Sequence, residues 1–462
     1  MATVMGALRL GNWRSLLACF LYFDTGFTLW VMLGPLAPFI GKSLHLGAAD
    51  LGFLVAVPVL SAAILRIALG ALYQSMDGRQ IALLSVALSA LPALIIGCGP
   101  LPGFNELLML AVLLGLGGAS FAVALPMAGS SYPKQVQGLV LGVAAAGNIG
   151  AVLDGFLFPR LAAHWGWQAA TLAALPLLAL TAWTLYAYAQ DLHPKQGSVR
   201  LGLRHTAGIL AGLLLLMELA HAGHLAGVGR LLLPVLGVAL ALAVLPSSYR
   251  RELKATDSWA IMLVYAITFG GFVGMSSYVA VLMTTLYHLS KLHAGMVMAG
   301  LALTGAMLRP LGGHLADRVS GVRALIVLLS LIALLDGLLA LSLPGLYPAL
   351  AMLWLLYACF GLGNGATFQL VPQRWPERSG LMTGLIGCAG GVGGFYLPVV
   401  MGLAHQSSGS YAPGFALFSL LAALAALTVT FLRKPWLSWS HARPPSPLTV
   451  WPEEVPAPQG EV

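Results

Sequence analysis

Apolar runs of about 20 residues, separated by short polar breaks, recur along almost the whole chain. A run of that length crosses a ~30 Å hydrocarbon core as a helix, which satisfies its backbone hydrogen bonds within itself. The pattern predicts spans over 17–41, 50–73, 80–98, 105–127, 138–160 and 168–190. A second set of six follows over 259–284, 294–315, 323–343, 348–371, 380–403 and 413–432. Two more apolar stretches, 206–224 and 230–246, flank the segment "HAGHLAGVGR" between the sets. Neither carries the charged stripe of an interfacial helix, so they predict a membrane hairpin and fourteen spans in total. Two surface-lying or cytoplasmic helices are the alternative.

Composition makes the membrane assignment firm. Only 8% of the 462 residues are charged and 59% are hydrophobic, against about 25% charged in soluble domains, too few to cover a water-facing surface. Lys and Arg then orient the chain. With fourteen spans and an internal N-terminus, seventeen of the 23 cations fall on the cytoplasmic side, and Lys42, Arg160, Arg230 and Lys291 fall outside. Arg66 and Arg309 fall within spans. The expectation is a multi-pass cell-membrane protein with both termini in the cytoplasm, its +8 net charge reflecting topology rather than nucleic-acid binding. The first apolar run is too long for a cleaved signal and is read as a retained span. The four cysteines lie in apolar spans at spacings that suit neither disulfides nor zinc. No metal or cofactor is expected. GxSxG, HExxH, CxxC and GxxxxGK are all missing from the sequence, which argues against an enzyme.

The chain also repeats itself. "LRIALGALYQSMDGR" (65–79) matches "LRPLGGHLADRVSGVR" (308–323), each with an intramembrane Arg four residues before a Gly. "GASFAVALP" (118–126) matches "GATFQLVP" (365–372), and "GLVLGVAAAGNIG" (138–150) parallels "GLMTGLIGCAGGVGG" (380–394). Three pairs in the same order define two related halves. The all-α plan is a six-helix bundle over 1–190, a linker with a hairpin over 191–256, a second bundle over 257–434 and a disordered cytoplasmic tail over 435–462. Even span counts give the halves the same orientation, related by pseudo-two-fold symmetry about the membrane normal, the plan of major facilitator transporters. The loop "GGHLADRVSGVR" resembles the loop signature of that superfamily. Asp317 and Arg318, with Asp77 and Arg79 in the first half, are candidates for a cytoplasmic gate latch.

Arg66 lies about 15 Å of helix from Asp77, and Arg309 about 12 Å from Asp317, so both sit near mid-membrane on matching helices. A single intramembrane Arg could pair structurally; two at equivalent positions point to cargo. A guanidinium keeps its charge, and its planar fork suits an oxyanion. The expected cargo is a small anion. Glycines 380, 384, 387, 391 and 394 fall on one helix face, a smooth ridge against which another helix can slide. Tyr265 and Phe269 share a face of the seventh counted span and could wall a flat anion.

These motifs resemble the nitrate/nitrite porters of the major facilitator superfamily over residues 17 to 432. "GLVLGVAAAGNIGAV" and "GLIGCAGGVGGFYLP" are similar to that family's paired signatures, "SSYPKQVQGLVLG" to its loop before the fifth helix, and "GLGNGATFQ" to its tenth helix. The resemblance implies that Arg66 and Arg309 grip nitrate or nitrite and that Phe121, Asn148, Tyr265 and Phe269 line the cavity. It implies mobility at Gly142, Gly147, Gly150, Gly384, Gly387, Gly391 and Gly394. Ala144 to Ala146 stand where the first signature often has glycine, and the 206–246 insert departs from the twelve-helix plan.

Intramembrane carboxylates are functional candidates too. Asp24 and Asp154 are the candidates for carrying a coupled proton, while Asp336 and Glu218 are read as helix–helix hydrogen bonders. The expected activity is proton-coupled nitrate uptake by alternating access in a monomer. Nitrate/nitrite exchange is the alternative, and a carrier of another small organic or phosphate-type anion comes third.

Overall fold

The computed structural model describes residues 9–133, 136–221, 227–245, 247–341, 345–375 and 379–441, and their regular structure is helical throughout. Fourteen helices are long and apolar enough to span a membrane. The first six are α1 (Trp13–Leu44), α2 (Ala48–Tyr73), α3 (Gly78–Cys98), α4 (Phe104–Ser130), α5 (Val140–Trp165) and α6 (Trp167–Tyr188). The apolar insert forms α7 (Val199–Ala220) and α8 (Gly227–Val244). The last six are α9 (Thr256–Leu286), α10 (Lys291–Val319), α11 (Gly321–Leu341), α12 (Leu346–Val371), α13 (Leu381–Ser408) and α14 (Ala412–Trp439).

The final helix corrects one boundary. It runs Ala412–His441, past the point where the tail was expected to begin at 435. Pro435 removes one hydrogen bond inside it. Buried Trp436 holds the helix in place, donating its indole N–H to Asp257 Oδ1 at 2.9 Å. Asp257 also takes the Arg374 Nε–H at 2.8 Å. Residues 442–462 lie outside the described residues, as do Lys134, Arg378 and Arg443 of the charge count; of Gly138 and Gly380 only the helical backbone is described.

The halves meet mainly through α1, α2 and α5 against α9, α10 and α13, along a seam whose close contacts lie at one end. Starting at its N-terminal end, α2 lies against α13. A Cβ at Gly402 would meet the Ala49 Cα at 3.0 Å, and one at Gly391 would meet the Ala63 Cβ at 2.6 Å. On α5 and α10, Gly155 and Gly295 pack backbone to backbone, each with a Cβ position 2.5 Å from the other's carbonyl oxygen. Gly34 on α1 packs likewise on Ser277 of α9. A glycine on one or both faces, lacking a Cβ, lets helices approach close enough for main-chain contact. Beyond Arg66 the halves part. Gly384 on α13 and Gly142 on α5 have open space where a side chain would be.

One helix is broken on purpose. α5 begins as an α-helix, tightens to a 3₁₀ turn over Ala146–Ile149 and resumes as an α-helix at Gly150. The turn lies against α1, where a Cβ at Gly147 would be 2.8 Å from the Asp24 nitrogen and one at Gly150 2.5 Å from Thr28 Oγ1.

The segment after α6 is pinned to the first half. The Asp191 side chain is fully enclosed and accepts from Tyr73 Oη at 2.7 Å, the Gly78 N–H at 2.7 Å and the His193 N–H at 3.1 Å, and it pairs with Lys195 at 2.6 Å. Burial alone would raise its pKa. The Lys195, Tyr73, Gly78 and His193 donors outweigh burial and hold it below the usual carboxylate range. The hairpin meets both halves near the closed end. Arg230 pairs with Asp50 of α2 at 2.9 Å, and Tyr396 of α13 donates to the Leu231 carbonyl at 3.0 Å.

Candidate functional site

Arg66 occupies the last third of α2, whose buried face contains no other charge near it. Its side chain is 1% exposed. It donates from Nη2 to the Gly118 carbonyl of α4 at 2.9 Å and from Nη1 to the Gly387 carbonyl of α13 at 3.0 Å. The second bond crosses from one half to the other. Burying such a cation costs about 2.5–3.5 kcal/mol on insertion scales. Two charge-assisted hydrogen bonds of about 1.5–3 kcal/mol each offset that cost. Three aromatic rings complete the setting: the guanidinium carbon lies 5.0 Å from the Phe121 centroid, 5.5 Å from Trp30 and 5.8 Å from Phe269.

Arg309 stands at the corresponding place on α10 but is held differently. It is partly exposed, and its hydrogen bond is long, from Nη2 to Tyr265 Oη at 3.5 Å. Its guanidinium carbon lies 5.9 Å from Phe269 and 5.7 Å from Phe368. Phe269 therefore stands between the two cations, within 6 Å of each guanidinium carbon. Tyr265 stacks on it with ring centroids 4.9 Å apart and planes 4° apart, and Phe368 closes edge-on against Tyr265 at 5.0 Å. Arg66 Nε and Arg309 Nη1 have no hydrogen-bond partner. The two cations, each with a spare donor, stand among aromatic rings, and a guanidinium fork is the group that matches a planar oxyanion.

The structure brings Arg66, Arg309, Phe121, Tyr265, Phe269 and Gly387 together. Asn148 is buried in the 3₁₀ turn of α5 with its Oδ1 unpartnered, and that turn packs on α1 and on α10, the helix that carries Arg309. Gly387 lies under Arg66, where a Cβ would be 2.9 Å from Nη1. Gly391 and Gly394 continue the seam against Ala63 and Val59. Of the signature glycines, Gly147 and Gly150 serve the α1–α5 contact and Gly142 and Gly384 face open space.

The loop residues make contacts within their own half. Asp77 caps α3, accepting the Gln80 N–H at 3.2 Å; Arg79 covers the Tyr186 ring at 5.1 Å; Asp317 accepts from Gln369 Nε2 at 3.2 Å. Arg318 is exposed near the end of α10. Asp77 thus serves the N-terminus of its own helix. Among the described residues the ion pairs are Lys195–Asp191, Arg230–Asp50 and Arg374–Asp257, so the Asp-to-Arg latch is not formed by Asp77 or Asp317 in this state. Glu218 links α7 to α4 through Asn105 at 3.0 Å. Asp336 is 1% exposed, a core group rather than a peripheral one.

Two side chains at the centre were not anticipated. Phe368 stands in "GATFQLVP" where Phe121 stands in "GASFAVALP", so the repeat itself carried the signal. Trp30 had none, because no equivalent aromatic marks the second half. Its indole donates to the Pro58 carbonyl at 3.0 Å, which fixes the ring beside Arg66.

Comparison with known proteins places the chain in a family. A family model of the Major Facilitator Superfamily matches residues 16–373 and, in an overlapping match, 261–455. The chain is 31% identical over 425 residues to a "Probable nitrate/nitrite transporter NarK2" of Mycobacterium tuberculosis, covering 91% of this chain and 94% of that one. It is 28% identical to a "Nitrite extrusion protein" of Bacillus subtilis, covering 90% and 92%. It is 26% identical to a "Probable nitrate/nitrite antiporter NarK1" of Thermus thermophilus, covering 90% and 89%. The chain belongs to the Major Facilitator Superfamily and, within it, to the NarK-like nitrate/nitrite porters.

Proposed function

We propose that this protein carries nitrate and nitrite across the cell membrane by alternating access, with the anion held between Arg66 and Arg309, and that nitrate uptake is proton-coupled. The observation that carries the reading is the arginine pair, one from each half, sharing the Phe269 ring and each keeping an unpartnered donor. The relatives' names support the choice of anion. With both termini in the cytoplasm, the closed seam faces outward and the gap beside Gly142 and Gly384 faces inward. This conformation is then the inward-facing one, and transport requires the seam glycines to part.

Energetics favour coupling. Moving one anion inward against an inside-negative potential costs about 2.3 kcal/mol per 100 mV. One proton makes the step electroneutral and two make it favourable. Exchange of nitrate for nitrite avoids the cost because equal charges cross, and the relative named as an antiporter supports that second reading.

The test is a competition series in proteoliposomes, with nitrate, nitrite, chlorate, phosphate and chloride, on the native protein, Arg66→Lys and Arg309→Lys. Lysine keeps the charge and loses the fork. Nitrate and nitrite should compete best, and each substitution should weaken nitrate by at least tenfold. Unchanged nitrate affinity in both variants rejects the site. An imposed pH gradient separates the coupling modes: acceleration supports proton symport, and indifference with intact counterflow supports exchange.

A further inference from the structure

The arginine site leaves one buried charge of the first half without a task. Asp154 on α5 is 0% exposed, and neither carboxylate oxygen has a hydrogen-bond partner. An ionised carboxylate in that setting costs several kcal/mol and persists only when paired. Among the described residues the charged group acting on Asp154 is Asp24 of α1, a like charge. The other charged or titratable side chains on α5 and on α1, α4 and α10 packed against it are Arg160 and His164 on α5, Arg14, Cys19, Tyr22 and Lys42 on α1, Glu106 on α4, and Lys291, His293, Arg309, His314, Asp317 and Arg318 on α10; none forms an ion pair or hydrogen bond with Asp154. α6 brings no Asp, Glu, Lys, Arg or His near it.

The surroundings give Asp154 no bonded partner. Asp24 is half-buried with Oδ1 unpartnered, and Thr28 Oγ1, one turn further along α1, is buried and unpartnered. Both lie along the face of α1 that Gly150 touches, one turn before Asp154 on α5. A proton on Asp154 would remove a charge for which the site offers no partner. The position matters equally. Its neighbour Gly155 is the residue that packs on Gly295 and Ala299 of α10 across the closed seam. A change of charge at Asp154 is therefore a change at the joint between the halves.

We propose that Asp154 is the proton-carrying site of the transport cycle, loaded while the α5–α10 seam is open and neutral while it is closed, with Asp24 as its exchange partner. This inference rests on the proton-coupled reading above. With the seam open, water solvates the carboxylate, and a proton from the outer solution forms the O–H bond. The neutral group lets the seam close. In the inward-facing state the proton passes to Asp24 and on to cytoplasmic water, which restores a carboxylate that the closed seam cannot hold. That charge drives the seam open again and returns the carrier.

The experiment compares native protein, Asp154→Asn, Asp154→Glu and Asp24→Asn in proteoliposomes. It records nitrate uptake under an inward pH gradient, proton entry with an internal pH dye, and nitrate/nitrite counterflow at symmetric pH. Asp154→Asn should lose gradient-driven uptake and proton entry by at least tenfold and keep counterflow within about threefold. Asp154→Glu, which keeps a titratable group, should recover part of the gradient response, and Asp24→Asn should slow it. Asp154→Asn that still responds like the native protein overturns this site while leaving proton coupling intact. Loss of counterflow together with the gradient response in both Asp154 variants assigns a structural role and also overturns it. A native protein indifferent to the pH gradient defeats the coupling reading itself, and stimulation by a sodium gradient at symmetric pH gives the oxygens to a metal cation instead.

Discussion

Arg66 and Arg309 occupy equivalent places in the two halves of a duplicated chain, yet they are bound in opposite ways. Arg66 is enclosed, with two short bonds to main-chain carbonyls, one of them on the other half. Arg309 is partly exposed, with one long bond to a phenol and a free Nη1. Duplication gave both halves the same cation; packing then divided the work. Arg66 is bound into the seam between α2 and α13, so its environment changes whenever the halves move. Arg309 has a donor to spare and is the freer of the two side chains. The same contrast runs along the molecule, with glycines of α13 in close contact with α2 from Ala48 to Arg66 and open space at Gly384 and Gly142.

The largest expected difference lies between the two lysine substitutions read as stability. Arg66→Lys cannot reach both carbonyls and leaves at least one buried acceptor unpaired, a cost of about 1–3 kcal/mol. Thermal unfolding in detergent should shift clearly downward for Arg66→Lys and hardly at all for Arg309→Lys. Equal shifts would erase the contrast. Next comes the seam. Gly387→Ala places a methyl 2.9 Å from Arg66 Nη1 and 3.0 Å from its Cδ, whereas Gly384→Ala meets nothing within 4 Å. Uptake should fall about tenfold in the first (about 1.4 kcal/mol) and stay near native in the second. Comparable loss in both would locate the glycines' role elsewhere.

A smaller effect should come from the clamp on the far end of α2. Asp191 is held below the ordinary carboxylate range, so its contribution to stability is present above about pH 4 and disappears as pH falls through its lowered value. Asp191→Asn should therefore melt a few degrees lower than the native protein at pH 7, and the two curves should converge under strongly acidic conditions. A gap that persists there would separate the effect from ionisation. The smallest change is Tyr265→Phe, which removes a 3.5 Å contact and leaves the ring stack in place. Nitrate affinity should weaken no more than about threefold, some 0.6 kcal/mol. A loss as large as that of Arg309→Lys would show that the phenol, rather than the guanidinium, holds the anion.

Much of this was legible in the residues because the membrane imposes a simple rule: each crossing must be an apolar helix of set length. Hydropathy therefore located all fourteen helices, including the inserted pair at α7 and α8. The repeat located the two arginines and, at "GATF", also offered Phe368. What the pattern could not convey was long-range pairing. Nothing local to "AQDLHPKQ" says that Asp191 will fold onto Tyr73 and Gly78, over 110 residues away in the chain. The tail was expected from 435, but Trp436 reaches Asp257 and the helix continues to His441. The 3₁₀ turn at Ala146–Ile149 was hidden in an alanine run that favours unbroken helix; the close approach of Gly147 and Gly150 to α1 accompanies it.

The central claim is tested most directly by a structure of the protein with bound nitrate. It predicts a single planar anion beside the Phe269 ring, within hydrogen-bonding distance of both Arg66 and Arg309. An anion bound to one arginine alone, or bound away from both, would contradict it.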